Sequence, residues 1–195
     1  MEVLKARILA EGQNLGRGIL KVDSFVNHQV DAALMLEIGK ELAARFADVG
    51  ATKVLTAEIS GIAPAVMTAL ALDVPVVYAR KTKPVTMTDP VYVEAAPSHT
   101  KGVDTFLMVS PEFLNPGDRI LIIDDFLASG QTIDALVRLV RHSGAELVGI
   151  GTLIEKRFEG GREQLTRSGV PIEALAVIAS MENGDIVFEE KENHA

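Results

Sequence analysis

Four consecutive aliphatic residues, Ile120, Leu121, Ile122 and Ile123, run directly into two adjacent carboxylates, Asp124 and Asp125. An unbroken aliphatic run marks a strand buried on both faces, and such strands belong to parallel sheets covered by helices on each side. Two carboxylates at the end of that strand repel each other, so a purely structural role would not hold them both there. They become useful when sugar hydroxyls or a cation share them. The small residues Ala128, Ser129 and Gly130 follow, and then an amphipathic helix. A small-residue loop at the head of a helix offers bare backbone N–H groups, here with the hydroxyls of Ser129 and Thr132, which is what a phosphate monoester needs. One segment can thus hold a ribose and its phosphate together.

The rest of the chain repeats the same strand–helix rhythm. The first dozen residues read as a helix with Val3, Leu4, Ile8 and Leu9 on one side and Gly12 as its stop. Residues 16–29 have no clean periodicity. Leu34, Ile38, Leu42 and Phe46 recur at helical spacing and predict a helix over 31–49, with Asp31 as N-cap and Gly50 as stop. Strands are expected at 54–57 and 74–79, around a helix at 64–72. Residues 81–104 break the pattern, and a structureless stretch of that length in a compact domain is usually a lid or binding loop. The segments FLMVS and RILII resume the sheet. A helix over 131–142, a strand over 147–156, a helix over 161–168, the strand EALAVIAS and a final edge strand IVFEE complete the chain. Alternation of this kind predicts one α/β domain over 1–195, its mostly parallel sheet flanked by helices.

Composition narrows the function. The 195 residues are enough for a full core, and no apolar stretch approaches the roughly 20 residues of a membrane span. The N-terminus mixes charged and apolar residues and does not read as a secretory signal. With no cysteine, disulfides, thiolate metal sites and cysteine nucleophiles are excluded together. A cytoplasmic enzyme is the expectation. The 27 acidic side chains outnumber the 19 basic ones, a net charge of −8, which argues against nucleic-acid binding. A local cluster at Arg80, Lys81 and Lys83 still suits a small anionic ligand.

Ligands of open α/β sheets bind at the C-terminal ends of the strands. The polar residues of interest all follow predicted strands: Glu58, Ile59, Ser60 and Gly61; Arg80 and Lys81; Asp124 and Asp125; and Lys156. Convergence of four strand ends on one rim carries more weight than any single motif. Read alone, each residue keeps a plainer alternative. The paired acids could end a nucleotide hydrolase's strand, although GxxxxGK[ST] is absent. Arg80, Lys81, Lys83 and Lys156 could be solvated surface cations, Asn27 a helix cap, and Phe126 ordinary core.

The run ILIIDDFLASGQT resembles the fingerprint of the type I phosphoribosyltransferases, and the resemblance extends over nearly the whole chain. The stretches GILKVDSFVNHQVD, AEISGIAPAVMTAL, VVYARKTK and IGTLIEKRFEGGREQL are most similar to the xanthine-using branch of that family. The resemblance implies the type I fold, with a small hood (about 1–30 plus a C-terminal segment) over a base pocket and a flexible loop at about 81–104. It implies a salvage reaction in which phosphoribosyl pyrophosphate and a purine base give the nucleoside 5′-monophosphate and pyrophosphate. Asp124 and Asp125 would be the catalytic acids, facing the ribose hydroxyls. Ala128, Ser129, Gly130, Gln131 and Thr132 would hold the 5′-phosphate, and Glu58, Ile59, Ser60, Arg80 and Lys81 the pyrophosphate. Relatives carry a non-proline cis peptide in that turn, which places it at Glu58–Ile59. Mg²⁺ would arrive with the substrate, with no metal site built by the protein alone.

By the same resemblance Leu20, Asn27, Phe126 and Lys156 line the base pocket. Xanthine carries oxo groups at C2 and C6, which an Asn amide and a Lys ammonium can meet; adenine's C6 amino group would be a poor partner for a lysine. Guanine or hypoxanthine transfer, and a ligand-sensing regulator on the same fold, are the alternatives. Two departures stand out. Some purine relatives have Asp where this chain has Ala128, and Ser98-His99 replaces the Ser–aromatic pair of the flexible loop. A homodimer is also implied.

Overall fold

The structure is a computed structural model that describes residues 1–96 and 105–189. The chain opens with α1 (Glu2–Glu11), which ends at Gly12. Leu4 and Ile8 of α1 are buried, whereas Val3 and Leu9 lie exposed, so its apolar stripe is narrower than the spacing suggests. Residues 16–29 are not a plain loop: they include most of a small hairpin, β1 (Gln13–Asn14) with β2 (Leu20–Lys21), and a π-helical turn over Asp23–Asn27. Helix α2 (Ala32–Arg45) is capped by Asp31, whose Oδ1 accepts from the N–H groups of Ala33 and Leu34 at 3.1 Å each. The helix stops four residues before Val49; a 3-10 turn (Ala47–Val49) and Gly50, at φ +63°, finish it.

Next come β3 (Lys53–Ala57), α3 (Ile62–Leu72) and β4 (Val76–Ala79). Strand β5 (Tyr92–Ala96) falls inside the stretch expected to be a loop. It pairs antiparallel with β6 (Thr105–Val109), from Tyr92 opposite Val109 to Ala96 opposite Thr105. FLMVS therefore belongs to a separate hairpin and does not resume the main sheet; a single bridge, Arg80 to Met108, ties the hairpin to the end of β4. Ser98 and His99 lie outside the described residues. Strand β7 (Arg119–Leu127), α4 (Gln131–Ser143), β8 (Glu146–Lys156), α5 (Gly161–Leu165), β9 (Ile172–Ser180) and β10 (Val187–Phe188) complete the fold.

The main sheet has the order β10-β9-β8-β7-β3-β4, parallel throughout except for β10, which pairs antiparallel with β9. The aliphatic run of β7 explains why. Leu121 and Ile123 enter one apolar cluster with α1, α2 and α3, while Ile120 and Ile122 enter another with α4 and the β5–β6 hairpin. Alternate residues of one strand thus feed two cores, as a strand covered on both faces must. Residues 1–30 pack against β9 and the segment after it: the terminal ammonium donates to the Leu175 carbonyl at 2.5 Å, and Asn14 to the carbonyls of Met181 and Asp185 at 3.0 Å each. No helix among the described residues is long and apolar enough to cross a membrane.

Candidate active site

Strand order reverses between β3 and β7. From β3 the chain moves outward to β4, and from β7 it moves the other way to β8 and β9. Such a switch point leaves a crevice outside the C-terminal strand ends, where open α/β sheets bind ligands. The crevice begins where pairing stops: β3 matches β7 only as far as Leu55 opposite Ile122. Strand β7 does not end at the acids, as the aliphatic run alone suggests; it continues through Asp124 and Asp125 to Leu127, held on its other side by β8.

Asp124 and Asp125 are both buried, and the Asp125 N–H donates to Asp124 Oδ1 at 3.1 Å. Burial, with the neighbouring Asp125 carboxylate, holds Asp124 well above the usual aspartate range, while that N–H and the charge of Lys81 pull the other way. A carboxylate so placed favours partners that supply protons or positive charge. Among the described residues no group of three or more His, Asp or Glu side chains could hold a metal ion. The acid pair suits a cation whose remaining ligands come with a substrate.

The loop after β7 turns at Gly130, where φ is +81°, and Gly130 is the N-cap of α4. No side chain caps that helix. The first N–H groups of a helix lack intrahelical acceptors, so this end is open to an anion. Ala128, Ser129, Gln131 and Thr132 are all partly exposed around it. The floor of the loop is Gly161: its N–H donates to the Ala128 carbonyl at 3.1 Å, and a Cβ there would lie 2.3 Å from that oxygen.

On the far side of the crevice is the 58–61 turn, with a cis peptide at Glu58–Ile59. The Glu58 carboxylate accepts from the Lys81 N–H at 2.6 Å and lies 2.7 Å from Arg80 Nε. Glu58 therefore serves the Arg80 guanidinium and the backbone N–H of Lys81, not an anion directly. The side chain of Ile59 is 77% exposed, so only the backbone of that residue can contribute. Ser60 sits partly exposed in the same turn. Lys83 is drawn away to Asp89 at 2.6 Å and leaves the cluster.

Of the four residues expected in a base pocket, Asn27 and Lys156 each lie beside the Asp125–Phe126 segment. Asn27, at the end of the π-helical turn, donates to Asp125 Oδ2 at 2.9 Å. Lys156 donates to the Gly18 carbonyl at 2.6 Å, lies 3.3 Å from Glu159, and stands 5.4 Å from the centre of the Phe126 ring. Leu20 is buried in the cluster against which Phe126 packs. Asn27 does not cap α2; Asp31 does. A groove of about 550 Å³ lies elsewhere, along edge strand β4 between Lys53, Tyr78, Met87 and Phe113, and reaches the site only at Arg80.

Sequence reasoning gave no role to Gly161 and counted Gly61 only as part of the 58–61 turn. A Cβ on Gly61 would fall 2.2 Å from Thr56 Oγ1 and 2.4 Å from Asp124 Oδ1, so this position must be bare for the turn to approach the acids. Gly161 plays the same part beneath the phosphate-shaped loop. Both lie in stretches that carry the family resemblance, EISG and EGGRE, but their importance depends on contacts from distant strands.

An aspartate pair at the switch point, an open helix N-terminus after it, and Arg80 and Lys81 beside the turn opposite are groups that suit a phosphorylated sugar. Residues 31–172 match the phosphoribosyl transferase domain family, and the chain belongs to that family. It is 48% identical over 193 residues to a xanthine phosphoribosyltransferase of Latilactobacillus sakei, covering 99% of each chain. Against a xanthine phosphoribosyltransferase of Listeria monocytogenes it is 50% identical over 192 residues, covering 98% of this chain and all of the relative. Among solved structures, adenine phosphoribosyltransferase from Rhodothermus marinus superposes with a TM-score of 0.71 at 27% identity, over 91% of this chain and 100% of that one. The Saccharomyces cerevisiae adenine phosphoribosyltransferase shares the fold, with a TM-score of 0.72 at 21% identity over 90% and 99% of the two chains.

Proposed function

We propose that this chain transfers the 5-phosphoribosyl group of phosphoribosyl pyrophosphate to xanthine, giving xanthosine 5′-monophosphate and pyrophosphate. The observation that carries the reading is full-length identity of 48–50% to xanthine phosphoribosyltransferases; the Asn27 amide beside Asp125 and the Lys156 ammonium near Phe126 support it. In the reaction the bond from C1′ to the pyrophosphate oxygen breaks, a bond from C1′ to a ring nitrogen forms, and that nitrogen's proton leaves to solvent. Positive charge grows on the ribose at the transition state. Asp124 and Asp125 accept hydrogen bonds from the ribose hydroxyls and set negative charge beneath that centre, where a water-poor site makes it effective. Residues 128–132 hold the 5′-phosphate through N–H groups, hydroxyls and the dipole of α4. Arg80, Lys81 and the backbone of the 58–61 turn receive the pyrophosphate. Asp124 and Asp125 would help to hold a Mg²⁺ carried in with the substrate, which would supply charge neutralisation for the leaving group.

Specificity comes from donors. The Asn27 amide nitrogen carries two N–H groups and gives one to Asp125; the Lys156 ammonium carries three and gives one to Gly18. What remains can meet the two oxo groups of xanthine, with Phe126 against the ring face and Leu20 opposite. A base that leaves the largely buried Lys156 ammonium unpaired loses roughly 1–3 kcal/mol, enough to discriminate, while the exposed Asn27 amide contributes less.

The test is turnover with phosphoribosyl pyrophosphate and Mg²⁺, comparing xanthine, guanine, hypoxanthine and adenine side by side. Preference for xanthine is expected. Preference for another base would keep the mechanism and overturn the pocket, and inactivity with all of them would overturn both.

A further inference from the structure

Between the base pocket and the phosphate loop lies a carboxylate that the chemistry above does not use. Glu155, next to last in β8, is 1% exposed. Arg162 brackets it: Nε donates to the two carboxylate oxygens at 2.9 and 3.0 Å, and Nη2 donates to Oε2 at 2.5 Å. The third guanidinium nitrogen donates to the Ile172 carbonyl at the start of β9, at 2.8 Å. The Glu155 carboxylate, through its hydrogen bonds, raises the pKa of Arg162 despite partial burial. Arg157 completes the cluster, with Nε 3.1 Å from Glu155 and Nη2 donating to Glu189 at 3.1 Å.

Buried ion pairs rarely repay their desolvation as net stability; apolar replacements of similar volume are often neutral or better. The placement of this pair suggests a different use. Glu155 immediately precedes Lys156, and Arg162 immediately follows Gly161. Gly161 is the floor of the 128–130 loop, and a Cβ on it would come within 2.3 Å of the Ala128 oxygen and 2.6 Å of the Gly130 nitrogen. Helix α5, which carries Gly161, has only five residues, too few to hold its position by its own hydrogen bonds. Its buried residues are Gly161 and Leu165. The bidentate fork of Arg162 onto Glu155 ties the second residue of α5 to the end of a central strand.

We propose that Glu155 and Arg162 are positioning residues for the 5′-phosphate loop, holding Gly161 under Ala128 and Gly130 so that the loop's N–H groups keep their aim. The inference rests on residues 128–132 being the phosphate-binding segment. A misplacement of about 1 Å at such a site is worth about 100-fold in rate, so a small release of α5 is measurable.

The test measures binding of ribose 5-phosphate and of pyrophosphate with Mg²⁺ by titration calorimetry, with Tm alongside, for wild type, Arg162→Met, Arg162→Lys and the double variant Glu155→Met/Arg162→Met. The double variant removes both charges and should keep Tm close to wild type. It should nevertheless bind ribose 5-phosphate at least about tenfold more weakly, with pyrophosphate affinity unchanged within about twofold. Arg162→Lys keeps the charge but not the fork, and should fall between. If Arg162→Met leaves a buried unpaired Glu155 and fails to fold, the other two variants still decide. Wild-type-like ribose 5-phosphate binding in the double variant would overturn the proposal. So would an equal weakening for both ligands that tracks Tm. Failure of the wild type to bind ribose 5-phosphate would instead sink the phosphate-loop reading, and this inference with it.

Discussion

Asp124 pits folding against function in a single side chain. Its carboxyl is held above the ordinary aspartate value by burial and by Asp125, so the folded state binds the proton more tightly than the unfolded one. The stability linked to it is full below the unfolded value and is lost as pH rises through the raised folded value. Asp124→Asn, uncharged at every pH, should therefore match wild type in acid and exceed its Tm near neutrality. At this chain length each kcal/mol gained is worth roughly 2–4 °C. Turnover of the same variant should fall by about 100-fold or more, as for loss of other preorganised transition-state contacts. Thermal scans across the acid-to-neutral range check the first part, and a lower Tm at neutral pH would contradict it. Lys156→Ala should weaken discrimination among oxo-purines by about tenfold, the worth of one unmade buried hydrogen bond, while leaving the KM for phosphoribosyl pyrophosphate nearly intact. A matching rise in that KM would refute the assignment. Asp124, Asp125 and the 128–132 loop are legible from sequence because strand, acids and loop are contiguous. Glu155 is not, since a lone glutamate at a strand end says nothing until Arg162 folds back onto it.

At the scale of elements, close approach decides what the site can be. The β3–α3 turn reaches the acids of β7 only because Gly61 has no side chain; its backbone, at φ −68°, would otherwise accept any residue. Gly61→Ala should destabilise by about 1–3 kcal/mol through overpacking against Thr56 and Asp124. It should also lower turnover more than that loss of stability explains, because Asp124 must shift. Denaturant unfolding with parallel kinetics checks this, and an alanine variant of wild-type activity would show the approach to be looser. Helical and buried-strand periodicities located α3, α4 and β8 to within two residues, and found α2 and β7 while misplacing their C-terminal ends. Strand β5 escaped because its five residues, YVEAA, alternate too little to stand out among neighbouring prolines and threonines. It becomes a strand by pairing with β6 and by lying against α4, where Arg138 reaches Glu94 at 3.1 Å.

Three apolar side chains, from the 58–61 turn to the last turn of α3, stand exposed. Ile59 is 77% exposed and Leu70 68%, with Val66 one turn before Leu70 on the outer side of α3. A surface of this kind fits the homodimer that the family resemblance implies, and light scattering should give twice the 20.9 kDa chain mass. A monomer at micromolar concentration would overturn that expectation. The division of information follows from range. Periodicity, the aliphatic run and the acid pair are local, so the amino-acid order alone was enough for a parallel α/β sheet, a phosphate-shaped loop and the resemblance built on them. Which strands become neighbours depends on packing between distant segments. That packing put the crevice between β3 and β7, turned Glu58 toward Arg80 and Lys81, drew Asn27 onto Asp125, and made Gly61 and Gly161 indispensable. Each of these is a contact between residues far apart in the chain, and no local pattern records a contact whose partner lies on another element.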